Sequence, residues 1–426
     1  MFTRLSARQE VLLRSESMAL PRVRLRFAPE YIAYPLAVFL VMLVVSSFTG
    51  HWVTDENPYR SYTLQACAWL EGRLDLGQDY PWLELAIVDG KYYVSFPPFP
   101  SFVLLPFAAM YGVNTPDHMI SMVFTMLGVL YALRLYEQMT GSLKLAERYV
   151  LFLFLGNGYL FISIQGWVWY LAQCMCFTLS LAALCYAVEG KGGRAFTLWA
   201  CAVGCRPMVA IYFPLLVYLV YAKWKNENTS MIFPKLIKKK WYWAIPVIVI
   251  ASVYMALNYA RFGNPFEFGH NHLPEFIRAE EGQFSLSYAM KHFAELIRLP
   301  QTGGENGALK YYTFDCMAFW LIAPMTISFA AAWLYSMVCK RKAKRFVKIS
   351  LPLMLFAHLM IVCCHRTMGG YQFGNRYIVD MLPYVFFGLL AFKPENEKSS
   401  NLNIPLFMLG LSVNLIGTVA TYNHWI

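Results

Sequence analysis

Residues 31–50 read YIAYPLAVFLVMLVVSSFTG, an apolar run without one charged side chain. About 20 such residues, rising 1.5 Å each, cross a hydrocarbon core of about 30 Å. Lipid offers the backbone no hydrogen bonds, so only a helix or a closed barrel can carry the chain across. Comparable blocks recur near 116–138, 147–165, 168–188, 242–259, 313–338, 348–365, 376–392 and 403–421. With 58% hydrophobic and 14% charged side chains, no intervening segment is long enough to bury a core of its own. The expected fold is an all-α polytopic membrane protein, one domain over 1–426.

The net charge of +11 sits in short segments between the spans. Arg4, Arg8, Arg14, Arg22, Arg24 and Arg26 precede the first, and two more basic clusters occupy 223–240 and 339–348. This is the pattern of cytoplasmic loops, not of a nucleic-acid surface, and no nucleic-acid partner is expected. It places residues 1–30 inside and makes the first span a retained anchor. Residues 51–115 then form a first outer loop and 260–312 a second, with HRTMGGYQFGNR (365–376) a third outward turn. Of ten cysteines, Cys174, Cys176, Cys185, Cys201 and Cys205 lie in apolar helices. Buried thiols are expected, not a disulfide framework.

Residues 195–222 have basic flanks at both ends, which one crossing cannot place on the same side. The run breaks at Cys205-Arg206-Pro207, where a proline disfavours helix in the residue before it. Two short helices with Arg206 at their outer tip satisfy both constraints and bring the membrane segments to about 11. The stretch PPFPSFVLLPFAAMYG (97–112) carries two internal prolines and is expected to lie in the interface.

The first outer loop opens with HWVTDENPYR (51–60). Asp55 and Glu56 precede Pro58, and Tyr59, Tyr62, Ala66, Trp69 and Leu70 recur at helical spacing up to Gly72. This predicts a surface helix with Pro58 in its first turn. Carboxylates at that start gain stability from the helix dipole without any catalysis. Beyond it, Asp89-Gly90 predicts a two-residue hairpin turn, followed by Lys91-Tyr92-Tyr93 and a double proline.

This order of a span, an acidic residue before a surface helix, GKYY…PP and a second surface helix resembles the GT-C superfamily of membrane glycosyltransferases. The similarity is closest to the bacterial branch that uses polyprenyl-phosphate sugars and contains mannosyltransferase-like and aminoarabinose-transferase-like enzymes. FGNPFEFGHNHLPEF (262–276) and GYQFGNRYIVDMLPY (370–384) resemble its later outer loop and final-span motif. The resemblance implies an inverting glycosyltransferase in the bacterial plasma membrane, with its active site facing outward. Sugar would move from a polyprenyl-phosphate donor to a glycan, lipid or protein acceptor of the cell envelope. A first-loop carboxylate would act as base, by position Asp55 with Glu56 as the fallback. The leaving phosphate needs fixed cations, and Arg376, Arg206 and Lys91 are the candidates. Tyr59, Tyr93, His270, His272, Glu275 and Tyr377 are the candidate substrate-binding residues. The chain departs from the family pattern at Ser95-Phe96, where relatives carry a basic residue, and at Gln165-Gly166-Trp167-Val168-Trp169, where many carry an acidic one.

Other readings compete locally. His270 and His272 with Glu267 and Glu275 form a candidate divalent-cation set (magnesium or manganese), although the spacing matches no strong metal motif. Asp380, one turn beyond Arg376, suits a structural ion pair with it. His358 suits a helix–helix hydrogen bond, and Trp167, Trp169 and Tyr170 suit an interfacial aromatic belt. A transporter or lipid flippase is the alternative class. Such proteins place ionisable residues near the midplane, often within inverted repeats.

Overall fold

The computed structural model describes residues 28–302, 309–310, 316–338, 345–393 and 402–426. Arg4 to Arg26 and residues 339–344 of the third basic cluster lie outside them. The chain begins with α1 (Glu30–Thr49), then α2 (Ser61–Leu70), β1 (Leu85–Val88), β2 (Lys91–Val94) and α3 (Phe99–Tyr111). Next come α4 (Asp117–Thr140), α5 (Glu147–Leu155), α6 (Tyr159–Ser163), α7 (Val168–Val188) and α8 (Gly192–Val203). A 3-10 stretch, Pro207–Tyr212, leads into α9 (Phe213–Glu227), followed by α10 (Phe233–Lys240) and α11 (Ala244–Phe262). The second long loop carries α12 (Pro274–Ile277) and α13 (Leu286–Ile297). The chain closes with α14 (Phe319–Ile322), α15 (Met325–Val338), α16 (Arg345–Cys364), a 3-10 stretch Arg376–Met381, α17 (Leu382–Phe392) and α18 (Asn403–Tyr422).

Seven helices among the described residues are long and apolar enough to cross a membrane. They are α1, α4, α7, the run 207–227, the run 233–262, α16 and α18. The remaining expected segments are present as shorter helices. The segment expected at 147–165 is broken between α5 and α6, where the Asn157 amide donates to the Phe152 carbonyl at 2.7 Å and its oxygen accepts from Met325 N at 3.3 Å. Of the segment expected at 313–338, residues 313–315 lie outside the described residues; the rest is helical from Phe319 and divided at Pro324, whose ring cannot continue the preceding helix.

The core lies where α7 packs between α4 and α8. In the apolar window of α7, 89% of residues are buried, against 11% in the run 233–262, so α7 is central and α11 peripheral. The two 3-10 stretches share a role. Each opens at an arginine: Arg206 is extended before Pro207, and Arg376 begins the second. Tyr212, ending the first, stacks on Tyr384 and shares a 3.0 Å hydrogen bond with His358 Nδ1, the interhelical contact expected of that histidine.

The surface helix expected after residue 58 is α2, but it starts at Ser61. Pro58 is outside it, which corrects its placement in the first turn. Asp55 and Glu56 are therefore not at the helix start. Asp55 instead closes a tight turn, its carboxylate accepting from Trp52 N at 2.6 Å while Asp55 N donates to the Trp52 carbonyl at 3.0 Å. The hairpin forms as expected, pairing Val88 with Lys91 around Asp89 and Gly90. Both turn residues have positive φ, 50° and 74°, which is why an Asp-Gly pair suits it.

Candidate active site

The site is assembled from four distant pieces of chain that meet at the Trp169 end of α7. The first piece is 51–60. Asn57 is buried and donates to Asp117 Oδ2 at 2.8 Å and to the Gly166 carbonyl at 2.9 Å. Thr63 of α2 donates to the other Asp117 oxygen at 2.6 Å. One carboxylate thus ties the first loop to the start of α4, where the helix dipole also favours it. The second piece, 165–169, is pressed onto this knot. Gly166 N lies 2.6 Å from His118 Nδ1, and a Cβ on Gly166 would fall 2.5 Å from the Asp117 backbone. Only glycine permits that approach.

This clamp presents Trp167 and Trp169 to Tyr59, whose ring lies 5.0 and 5.1 Å from theirs. Trp169 Nε1 is 3.2 Å from Glu84 Oε2, so the residue just before the hairpin is drawn in as well. Burial raises the Glu84 carboxyl above the usual range, opposed by the Trp169 N–H and the charge of Arg376.

The last pieces are the two arginine-led 3-10 stretches. The guanidiniums of Arg206 and Arg376 each lie 4.9 Å from the Tyr377 ring. Arg376 is also 5.8 Å from the Trp169 ring. Such contacts hold a guanidinium plane without neutralising it. Asp380 does not pair with Arg376, as its one-turn spacing suggested; its Oδ2 accepts from Arg206 Nε at 2.8 Å. The 3-10 geometry turns Asp380 toward the other arginine, and Gln173 of α7 fixes it there with a 3.0 Å bond to Oδ1. Arg376 is 5% exposed, and among the described residues the one hydrogen bond of its side chain is long, 3.4 Å, from Nη1 to Gln173 Oε1. Its Nε is buried without a hydrogen-bond partner. Among the described residues no carboxylate forms an ion pair with it.

Histidines border the arginines but carry no charge. Burial pushes His365 down to about 4 and His270 to about 3, with the nearby cations adding to both. His365 sits edge-on to Tyr377 at 6.0 Å, and His270 packs on Phe96 at 5.4 Å. The pair is thus bordered by neutral histidine and aromatic rings.

The sequence-derived candidates divide accordingly. Arg206, Arg376, Tyr377 and Tyr59 come together, and His270 lies beside them. Asp55 stands exposed at the margin, close enough to act electrostatically on His51, whose ring is 6.3 Å from Trp167. Glu56 is exposed and paired with Arg60. Tyr93 and His272 both rest on Phe262, at 5.7 and 5.4 Å. Glu275 is exposed, its carbonyl accepting from Arg366. Lys91 is exposed at the turn end of the hairpin, and among the described residues no contact joins it to the arginines. No three His, Cys, Asp or Glu side chains converge to hold a metal among the described residues. The Glu267 carboxylate accepts from Gly269 N and from Asn271. Trp167 and Trp169 are more than a surface belt, since both pack on Tyr59 of the first loop and Trp169 also reaches Arg376.

Sequence reading missed Glu84, Asp117, Asn57 and Gln173. Two carried a signal: Gln173 interrupts an apolar run, and Asp117 opens a span.

No family model matches the chain, and no curated protein sequence matches it. Solved structures do. ArnT from Cupriavidus metallidurans, crystallised with undecaprenyl phosphate, superposes with a TM-score of 0.54 at 12% identity, covering 93% of this chain and 77% of ArnT. An Archaeoglobus fulgidus oligosaccharyltransferase in its apo form gives 0.48 at 12% identity, and AglB from the same organism, with an inhibitory peptide and a dolichol-phosphate, gives 0.47 at 13%. The chain spans 56% of each of these two. The chain therefore has the membrane-embedded, GT-C-type fold of ArnT, the fold its loop motifs implied.

Proposed function

We propose that the protein is a glycosyltransferase that takes a sugar from a polyprenyl-phosphate donor and passes it to a cell-envelope acceptor. The observation that carries this reading is Arg376. It is a buried guanidinium held by two aromatic faces, with its Nε unsatisfied and no carboxylate partner among the described residues. A cation left in that state is costly unless something anionic completes it. The planar fork suits a phosphate. Arg206, fixed by Asp380, stands across the Tyr377 ring as a second source of positive potential. The undecaprenyl phosphate bound to ArnT, which shares the fold, supports a lipid phosphate as that anion.

In the proposed reaction an acceptor hydroxyl oxygen attacks the anomeric carbon. The bond from that carbon to the phosphate oxygen breaks, and the lipid phosphate leaves with the electron pair, held at Arg376. Configuration inverts. The hydroxyl proton passes to a carboxylate, for which Asp55 is the proposed base, and one free carboxylate oxygen is available beside its turn bond. A second reading assigns the base to Glu84, favoured by its contact with Trp169 beneath Arg376. By the distribution of basic loops, this end of the bundle faces outward.

The test uses purified protein in lipid with a polyprenyl-phosphate sugar and membrane-extracted acceptors. Arg376→Lys keeps the charge but loses the fork, and should lose most donor affinity with the fold intact. Full activity in Arg376→Ala would remove the phosphate from this site. Movement of labelled lipid across vesicles without sugar transfer would instead support the flippase alternative.

A further inference from the structure

The opposite end of α7 carries a different construction. Tyr186 lies 17 residues beyond Trp169 on that helix, roughly 25 Å away at 1.5 Å per residue. There α4, α7, α8 and α11 border an open cavity of about 580 Å³, lined by Tyr131, Tyr186, Arg194, Leu198, Trp243 and Pro246. The Arg194 guanidinium lies 5.5 Å from the Tyr186 ring. Lys240 Nζ lies 5.4 Å from the Trp243 ring and donates to Tyr242 Oη at 3.0 Å. Two neighbouring cations, Arg134 and Lys191, are already engaged, since both pair with the single carboxylate of Glu189. Among the described residues neither Arg194 nor Lys240 is in an ion pair. The cavity wall is thus aromatic and apolar, with Arg194 in it and Lys240 over the face of its Trp243.

What lies beyond the rim narrows the occupant. Along α11, Ile245, Ile248, Val249 and Val253 are exposed, an apolar strip that continues from Pro246 into the membrane zone. A soluble anion would use the cations and leave the strip bare. An acyl chain would use the strip and leave the cations bare. An anionic phospholipid uses both. We infer that this cavity binds one anionic phospholipid, its phosphate between Arg194 and Lys240 and an acyl chain along α11. The amphipathic α10, with Lys235, Lys238, Lys239 and Lys240 in eight residues and Leu236 buried, lies at the headgroup level of the same leaflet.

Native mass spectrometry of the full-length protein, titrated with phosphatidylglycerol or phosphatidylcholine of identical chains, tests this. Each basic residue at a membrane surface gives roughly a fivefold preference for anionic lipid, so two give about 30-fold. The expected result is one retained phosphatidylglycerol and little phosphatidylcholine. Arg194→Gln with Lys240→Gln should reduce phosphatidylglycerol to the phosphatidylcholine level, and each single change should cost about fivefold. Arg194→Lys with Lys240→Arg should keep binding. Equal retention of both lipids, or an undiminished double glutamine variant, overturns the inference. Displacement of the lipid by millimolar glycerol phosphate also overturns it, since the site would then recognise a free anion.

Discussion

The two ends of α7 handle positive charge in opposite ways. At the Trp169 end, Arg376 is buried and Arg206 half-buried, both over the Tyr377 ring, and they are held by Asp380 and Gln173. At the Tyr186 end, the cations lie over the outer faces of Trp and Tyr rings or pair with the half-buried Glu189. Exposed cations cost little, whereas buried ones cost several kcal/mol each before pairing. A helical bundle gains nothing in stability by burying an arginine with an unsatisfied Nε. The difference is what the proposed phosphate site at one end and the inferred lipid site at the other would require.

The greatest change is expected at Asp55. If the Trp169 end performs the chemistry, Asp55→Asn should lower turnover by about 10²–10⁴-fold, the usual cost of losing a general base. Glu56→Gln should be mild. A near-normal Asp55→Asn beside an inactive Glu84→Gln moves the base to Glu84. Activity in both removes the role from the first loop.

Stability separates the ends next. Asp380→Ala leaves the half-buried Arg206 without its partner and should cost up to about 3 kcal/mol. Lys223→Ala breaks the more exposed Lys223–Glu227 pair and should cost no more than about 0.5 kcal/mol. Unfolding in detergent, followed by denaturant or heat, measures both.

A smaller effect concerns pH. His365 titrates at about 4 in the fold and near 6.5 unfolded. Between those values the unfolded chain binds the extra proton, so stability falls as pH drops from about 6.5 to about 4. Replacing His365 with Asn should flatten that part of the melting-temperature profile. An unchanged profile would mean that His365 is protonated or accessible in the fold. Least of all is expected from Lys91→Ala. An exposed hairpin residue should leave folding within about 0.5 kcal/mol of wild type, and any loss of donor affinity would bring Lys91 into the phosphate site.

Much of the architecture was legible because lipid restricts the choices. Apolar blocks long enough to cross become helices, and Asp89-Gly90 between strand-like residues becomes a turn. The break before Pro207 was legible for the same local reason. The site was legible only in its isolated members. Arg206 and Asp380 are 174 positions apart, and no spacing rule connects them; the one-turn rule connected Asp380 to the wrong arginine. Glu84 looked like one more acid in an acidic loop until Trp169 was placed beside it. Asp117 read as the start of a span, yet it anchors Asn57 and Thr63. Local physics sets helices and turns, whereas which polar groups meet depends on how α2, α4 and α7 pack.

The central claim is that Arg376 holds a lipid phosphate. Its most direct test is the affinity of the purified protein for a polyprenyl phosphate without sugar, measured for wild type, Arg376→Lys and Arg376→Gln. Unlike turnover, this binding does not depend on the acceptor or the base. A tight wild-type complex, weakened at least tenfold by lysine and further by glutamine, is the predicted result. Equal affinity in all three proteins would contradict the account.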